Sequence, residues 1–368
     1  DIVCLVLPYI RSARAGVERL GNLLETYGTY EMNGIAFQDQ DEIWWMETIG
    51  GHHWIAKKVP DDVYVVMPNQ FGTDVFDMKD ALTDQNAHMC SKDLAEFIAK
   101  NHLDLTIRRS AERKAEDADL PFGRFINPRE IFGSHDDSDH VYNTPRAWFM
   151  ERYLNPKTYR WDGENADYTP VSDDIPWSLI PENKVTMEDV KYVLSSHYQG
   201  TPYDPYLPYG DKKMAGAYRS IGVNRTDFMS AIQMRPYEAE DNRVIEWVAF
   251  ASNAFNVMVP FYANVDTTPE YLANTTADVS TDNFYWSSRM IAAMADASYS
   301  KSLFHIERYQ ETMLAKGHEV INRYDEQIEK EPDAGKRSAL REQANQEMAD
   351  ILRKETGNTL SKVLYELS

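Results

Sequence analysis

An amide side chain stands at the end of an apolar run, in the stretch VVMPNQFGTD. Asn69 follows Pro68 and comes shortly before Gly72. Catalytic groups are often displayed on the loops that follow strands, and an asparagine N–H can stabilise the negative charge that develops on a carbonyl oxygen. Asn69 is therefore a candidate catalytic residue, with an ordinary turn asparagine as the alternative.

A second candidate is Arg146, which follows Pro145 in the stretch YNTPRAWFMERYL. The pattern predicts that a helix begins here. A cation at the start of a helix is disfavoured by the helix dipole, so Arg146 is a candidate for a role outside helix stability. The alternative is a surface salt bridge.

The adjacent pair His52 and His53 could suggest a metal site. Neighbouring residues on a strand point to opposite faces, so one ion cannot easily use both rings. Neither an HExxH motif nor a cysteine pair accompanies them. The interpretation favoured here is two structural histidines.

The stretch GSHDDSDH gathers histidines and carboxylates. Its members are His135, Asp136, Asp137, Asp139 and His140. The spacing and the bidentate glutamate of an EF-hand are missing, and a solvated acidic loop is the alternative in so acidic a chain. The sequence predicts no metal site and no cofactor.

The chain contains two cysteines, Cys4 and Cys90. Cys4 lies among apolar neighbours, which predicts a buried, inert thiol. Cys90 precedes Ser91 near a predicted helix start, which could activate a thiol, but no partner base is visible and a structural role is favoured.

Composition restricts the class of protein. The 368 residues are 43% hydrophobic and carry a net charge of −21, which predicts a folded chain and argues against nucleic-acid binding. No apolar run reaches the roughly 18 residues that a membrane helix needs. Two cysteines are too few for a disulfide framework, which favours a reducing, cytoplasmic location.

The elements that must hold these residues alternate between helix and strand. An amphipathic helix is predicted over 12–27, with Gly28 as its stop. Short β-rich runs separated by tight turns then predict a four-stranded antiparallel meander, covered on both faces. Its predicted strands are Ile35–Phe37, Ile43–Ile49, His53–Val59 and Val63–Met67.

The second half repeats the alternation. A helix capped by Thr186 is predicted to run to Gly200, followed by a hairpin about a turn near Asn224 and a strand in RVIEWVAF. From Tyr285 onward the pattern is mostly helical. We therefore predict one layered α+β domain over residues 1–368, in which residues 301–368 form a helical C-terminal extension.

Several stretches together resemble the dipeptidase A family of cysteine-dependent peptidases. They are PYIRSARAGVERLG, EIWWMETIGGHHWIAKKVPDDVYVVMPNQFG, YNTPRAWFMERYLNP, HYQGTPYD, IQMRP and VMVPFY. They occur in the order of the family and span nearly the whole chain. Secernins, which are not all peptidases, look related as well.

The resemblance implies an N-terminal nucleophile hydrolase, with a four-layer αββα sandwich of antiparallel sheets. It implies a catalytic cysteine at the mature amino terminus whose own α-amino group serves as base. Neither Cys4 nor Cys90 matches that cysteine. We expect the nucleophile to lie in an upstream segment, and we expect the chain alone to be inactive. The same upstream segment leaves room for a signal peptide.

The resemblance also implies roles for the two candidate residues. Asn69 matches an oxyanion-hole asparagine of related acylases, and Arg146 matches an arginine near their nucleophile, where a cation would favour the thiolate. The expected partners are dipeptide substrates, the N-terminal segment and further copies of the chain. The alternatives are an amidase acting on acylated amines and a non-catalytic, secernin-like interaction protein.

Overall fold

The computed structural model describes residues 2–105, 120, 122–134 and 136–368. The chain divides into two compact units, Asp1–Val185 and Thr186–Ser368. Each unit has its own sheet and its own hydrophobic core. The single domain expected over residues 1–368 stays a prediction.

Helices and short strands alternate in the first unit. Its helices are α1 (Ile2–Val6), α2 (Ala13–Tyr27), α3 (Met78–Leu82), α4 (Leu94–Asn101), α5 (Pro128–Phe132), α6 (Asp139–Tyr142) and α7 (Thr144–Leu154). Its strands are β1 (Gly34–Gln38), β2 (Ile43–Gly50), β3 (His53–Val59), β4 (Tyr64–Val65), β5 (Phe76–Asp77), β6 (His88–Cys90), β7 (Phe125–Ile126) and β8 (Ser178–Leu179).

The main sheet of this unit is antiparallel and four-stranded, in the order β1-β2-β3-β6. The first three strands confirm the predicted meander. The fourth was predicted wrongly, because β4 pairs with β8 instead of β3. The Val66 N–H likewise donates to the Trp177 carbonyl at 3.3 Å. The backbone groups of this segment therefore bond to a stretch far along the sequence, and β6 occupies the edge of β3.

Helix α2 covers one face of that sheet. The Ser12 hydroxyl caps it by accepting the Ala15 N–H at 3.1 Å, and Gly28 ends it at a φ of +75°. Gly21 is needed for close packing, because a Cβ there would lie 2.3 Å from the Trp54 ring. The buried residues of this layer are Val6, Ala13, Val17, Leu20, Leu24, Trp44, Met46, Trp54, Ala56 and Met89.

The opposite face of the sheet is also covered. Strand residues that alternate with the first set, Ile55 and Cys90, pack there against α3 and α4. Phe76, Met78, Ala81, Leu94 and Ile98 complete this layer with Phe71, Phe122 and Ile126. Burial on both faces explains why β2 and β3 carry apolar residues at successive positions.

The second unit is a sheet packed against long helices. Its helices are α8 (Met187–Leu194), α9 (Glu270–Ala273), α10 (Phe284–Ala297), α11 (Tyr299–Glu329) and α12 (Ala334–Leu367). Its strands are β9 (Phe228–Met234), β10 (Val244–Phe250) and β11 (Val259–Tyr262), in the antiparallel order β11-β10-β9. The helical C-terminal region is confirmed, as is an α+β architecture with several antiparallel sheets.

Two boundary predictions in this unit were wrong. The capping box of Thr186 and Asp189 is present, but α8 ends at Leu194, well before Gly200. The hairpin predicted near Asn224 does not form, because β9 pairs with β10. The Gly222 N–H donates to the Ser196 carbonyl at 2.8 Å, so this part of the segment is held by the residues after α8 and not by a partner strand.

Candidate active site

The two predicted site residues are hydrogen-bonded to each other. Arg146 Nη1 donates to Asn69 Oδ1 at 2.8 Å, across 77 positions of sequence. Asn69 is exposed and Arg146 is half-buried. Because a guanidinium can only donate, it engages the amide oxygen. The Asn69 Nδ2 group makes no hydrogen bond to the residues that the structure describes, so its two N–H groups are available to a ligand.

The loop that carries Asn69 is held from beneath by Glu47, a buried residue of β2. Glu47 Oε1 accepts the Gly72 N–H at 2.6 Å, and Oε2 accepts the Thr73 N–H at 3.1 Å. Burial raises the pKa of the Glu47 carboxyl, against the lowering effect of these hydrogen bonds. A side chain from the middle of the sheet thereby fixes the loop that follows β4.

Arg129 of α5 holds the same loop from the other side. Its Nη2 donates to the Gly72 carbonyl at 2.7 Å, and its Nη1 donates to the Ile175 carbonyl at 2.6 Å and the Asp173 carbonyl at 3.1 Å. Arg129 is buried, with 9% of the residue exposed. Charge-assisted bonds of this kind are stronger than neutral ones, so the backbone near Asn69 is well anchored.

Helix α7 supplies Arg146 from its first turn. Pro145 is compatible with this position because the N–H groups of a first helical turn have no partner within the helix. Further along α7, Glu151 is fully buried and both its carboxyl oxygens lack a hydrogen-bond partner among the described residues. Burial raises the pKa of Glu151 to about 9, with Asp74 raising it further and Arg129 opposing the shift. The side chain is therefore neutral near pH 7.

A cavity of about 20 Å³ lies beside the pair. Its lining includes Pro68 and Gln70, which flank Asn69, and Thr144 and Ala147 of α7. This volume is enough for about one water molecule. The exposed Asn69 and the half-buried Arg146 thus lie next to a small cavity.

The histidine pair has structural contacts. His52 Nδ1 lies 3.1 Å from the Leu24 carbonyl oxygen and 3.0 Å from that of Glu25, at the end of α2. His53 stacks on Phe97 with ring centroids 3.8 Å apart. These contacts join β3 and its preceding turn to α2 and α4.

The acidic loop is bonded mainly to itself and to nearby segments. His140 Nε2 lies 2.9 Å from Asp173 Oδ1, and Asp139 Oδ1 accepts the Asn143 amide N–H at 2.5 Å. His135, a further member of the stretch GSHDDSDH, lies outside the described residues. Within the residues that are described, no three His, Cys, Asp or Glu side chains are grouped so that they could hold a metal ion.

The two cysteines differ in their surroundings. Cys4 is exposed on α1, so the prediction of a buried thiol was wrong. The apolar neighbours that suggested burial, Val3 and Leu5, are themselves 65% and 54% exposed. Cys90 is buried as predicted, and burial raises the pKa of its thiol to about 12. At neutral pH Cys90 is therefore a protonated, poor nucleophile.

Sequence reasoning missed Glu47, Arg129 and Glu151. Glu47 and Glu151 each interrupt an aromatic or apolar stretch, WWMETI and AWFMERYL. A carboxylate at a core-facing position is rare unless it has a partner or is neutral. That interruption was the available signal. Arg129 had none, because its partners are backbone carbonyls distant in sequence.

The sequence matches peptidase family C69 over residues 1–312. The chain belongs to this family. The resemblance to dipeptidase A proteins is thereby confirmed.

Individual relatives of this C69 member are similar along its full length. It is 51% identical over 405 residues to the dipeptidase of Bifidobacterium longum strain NCC 2705, covering 100% of this chain and 74% of that protein. It is 46% identical over 368 residues to the probable dipeptidase A of Streptococcus pyogenes serotype M18, covering 100% and 71%. It is 36% identical over 366 residues to dipeptidase A of Lactobacillus helveticus, again covering 100% and 71%.

Among the described residues, no helix combines the length and the apolar character needed to cross a bilayer.

Proposed function

We propose that this chain is the larger part of a thiol-dependent dipeptidase that cleaves short peptides without a metal. Membership of peptidase family C69 and relatives named dipeptidase support the reaction class. The observation that carries the catalytic assignment is the bond from Arg146 to Asn69 Oδ1, which leaves the Asn69 N–H groups without a hydrogen bond among the described residues.

In the proposed reaction, a cysteine thiol gives its proton to an α-amino group and its Sγ attacks the peptide carbonyl carbon. The Asn69 Nδ2–H groups donate to the oxygen that becomes negative. The C–N bond then breaks, the protonated amine returns its proton to the leaving nitrogen, and a water molecule hydrolyses the thioester. Arg146 fixes the orientation of Asn69 and adds positive charge near the thiolate.

The nucleophile is proposed to be a cysteine outside this sequence, at the mature amino terminus of the working enzyme. The surroundings of both cysteines present support this. Cys90 is buried, with a pKa of about 12. Cys4 is exposed on a short helix and has no hydrogen bond to a base among the described residues. We also propose that the working enzyme has the four-layer αββα sandwich of N-terminal nucleophile hydrolases.

The test uses the full-length protein, assayed on several dipeptides after chelation and after thiol alkylation. Because Cys4 is exposed and will also react, the assay is run in a Cys4→Ser variant. Activity should survive the chelator and be abolished by alkylation. Activity that is lost with the chelator and restored by zinc would contradict the thiol mechanism.

A further inference from the structure

The second unit contains a cavity of about 270 Å³ that the proposed reaction does not use. It lies between the segment that follows α8 and the segment that precedes β9. His197 and Tyr206 line one side, and Arg219, Ser220 and Arg225 line the other. Its volume is just below the roughly 300 Å³ at which small-molecule sites begin, so it suits a compact ligand.

The charge of this cavity is opposite to that of the protein. The chain has 59 acidic and 38 basic residues, yet the lining includes two arginines and a histidine and no Asp or Glu among the described residues. Arg225 is exposed and makes no hydrogen bond or ion pair within the part of the chain that the structure describes. A guanidinium fork matches the geometry of carboxylate and phosphate oxygens.

The nearby carboxylates are already engaged. Asp204 Oδ1 lies 2.9 Å from His197 Nδ1, and Asp296 accepts the phenolic hydrogen of Tyr206. Neither carboxylate belongs to the lining, and each orients a side chain that does. A carboxylate that holds one imidazole nitrogen fixes the position of the ring and directs the other nitrogen elsewhere.

One wall is a packed aromatic group. Tyr206 stacks on Tyr299 with ring centroids 3.9 Å apart, and His197 meets Tyr206 edge-on at 5.1 Å. The Tyr299 hydroxyl also lies 3.3 Å from His197 Nε2. Side chains fixed in this way present an apolar surface without further ordering when a ligand binds.

The other wall is anchored through its backbone. The Gly222 N–H donates to the Ser196 carbonyl at 2.8 Å, and the Tyr198 hydroxyl donates to the Arg219 carbonyl at 2.9 Å. Gly222 cannot carry a side chain without movement, because a Cβ would lie 2.3 Å from the Ser195 carbonyl oxygen. The segment that bears both arginines is thus held against the end of α8 by close backbone contact.

We infer that this cavity binds a small organic anion. Its oxyanion head group, a carboxylate or a phosphate, is held by Arg225 and Arg219, and its body packs on Tyr206. This inference rests on the cavity alone and is independent of the peptidase activity.

The test measures binding to the full chain by isothermal titration calorimetry, with probes that the enzyme cannot cleave. L-Leucine and L-leucinamide share a side chain and differ in the carboxylate, and inorganic phosphate represents the other head group. We expect saturable binding of leucine or of phosphate, with leucinamide at least tenfold weaker than leucine if the carboxylate is the ligand. Arg225→Gln should weaken the binding at least tenfold.

Arg308→Gln is the matched control, because Arg308 is an exposed arginine of α11 whose cation lies over the Phe304 ring. It should leave binding unchanged. Leucine is also a possible product of peptide cleavage, so Arg146→Gln is titrated in parallel and should retain the binding. Three results would each overturn the inference: equal binding of leucine and leucinamide without phosphate binding, insensitivity to Arg225→Gln, or no saturable binding of leucine or phosphate.

Discussion

A guanidinium can only donate, so an amide that it contacts turns its oxygen toward the guanidinium and its N–H groups away. Asn69 is in this state, with Arg146 Nη1 2.8 Å from its Oδ1. In the full-length enzyme, Asn69→Ala should therefore lower kcat by about a hundredfold or more, the loss typical of one oxyanion donor. Because Asn69 is exposed, the melting temperature should barely change. An unaltered kcat in the folded variant would reassign Asn69 to the turn.

A double-mutant cycle separates two roles for Arg146. If Arg146 acts by orienting Asn69, then Arg146→Gln added to Asn69→Ala should cost almost nothing further in kcat/KM, because coupled residues are not additive. If it acts on the thiolate by charge, the two losses should add. Arg152→Gln is the control, because Arg152 lies on the same helix and pairs with Asp162 at 2.9 Å. Strict additivity would contradict the orienting role.

The buried carboxyl of Glu151 predicts a pH dependence of stability. Its pKa is about 9 in the folded chain against an ordinary value of 4.5. Between these values the folded state holds a proton that the unfolded state has lost, so the free energy of unfolding falls as the pH rises. Glu151→Gln should remove that fall, which is worth about 1 kcal/mol per pH unit.

The measurement is chemical denaturation of the wild-type chain and Glu151→Gln from pH 5.5 to 8.5. The exposed Glu164 supplies the matched control Glu164→Gln. Parallel curves for wild type and Glu151→Gln would show that Glu151 is ionised in the fold or has an undescribed partner.

Residue types alone singled out Asn69 and Arg146 but not the bond between them. Asn69 and Arg146 are 77 positions apart in the sequence, and local sequence patterns do not encode contacts over that separation. Cys4 shows the opposite error, because apolar neighbours predicted burial where the helix is mostly exposed. Periodicity indicates which residues share one face of a helix or strand. Packing against another element then decides which face is buried.

At the scale of elements, the predictions held where a local signal was strong. Helix α2 has its Ser12 cap and Gly28 stop, and β1 to β3 follow one another through short turns. The failures were at strands whose partner is distant in sequence. Strand β4 pairs with β8, and β6 takes the fourth place in the main sheet, because hydrogen-bond partners of short strands are set by tertiary contacts and not by propensity.

The end of α8 holds a buried amine with the opposite pH response to Glu151. Lys191 Nζ donates to Ser195 Oγ at 3.0 Å and to the Asn253 carbonyl at 2.8 Å. Burial lowers the pKa of Lys191 to about 7 from 10.5. Above pH 7 the unfolded state holds a proton that the folded state lacks, so the free energy of unfolding rises with pH.

Lys191→Met should abolish that rise, which is about 1 kcal/mol per pH unit between pH 7 and 8.5. The comparison of interest is the difference between the unfolding free energies of wild type and variant at each pH, because other groups cancel in it. Lys212→Met, at an exposed position, should show no such trend. If the difference between the two unfolding free energies stays constant with pH, Lys191 keeps its charge in the folded state and the prediction is wrong.

At the scale of the whole molecule, the α+β class and the helical C-terminal region were predictable from the sequence. Alternating helical and β-rich stretches indicated an α+β protein, and the helical C-terminal region follows the pattern of Leu340, Ala344, Met348 and Leu352 in α12. The two compact units meet at Val185 and Thr186. A boundary between units depends on which core each residue joins, and local sequence patterns do not encode this.

The last prediction concerns the 368-residue chain by itself. If the nucleophile lies outside this sequence, the purified chain should fold around its buried hydrophobic clusters yet hydrolyse no dipeptide, since Cys90 is buried with a pKa of about 12 and Cys4 lies on an exposed helix. Supplying the cysteine-bearing segment of the full-length protein in trans, or coexpressing it, should restore turnover, and replacing its cysteine by alanine should prevent the restoration. Intact mass and circular dichroism establish beforehand that the chain is whole and folded. Turnover by the pure chain that disappears in Cys4→Ser or Cys90→Ser would locate the nucleophile within this sequence and overturn the proposal.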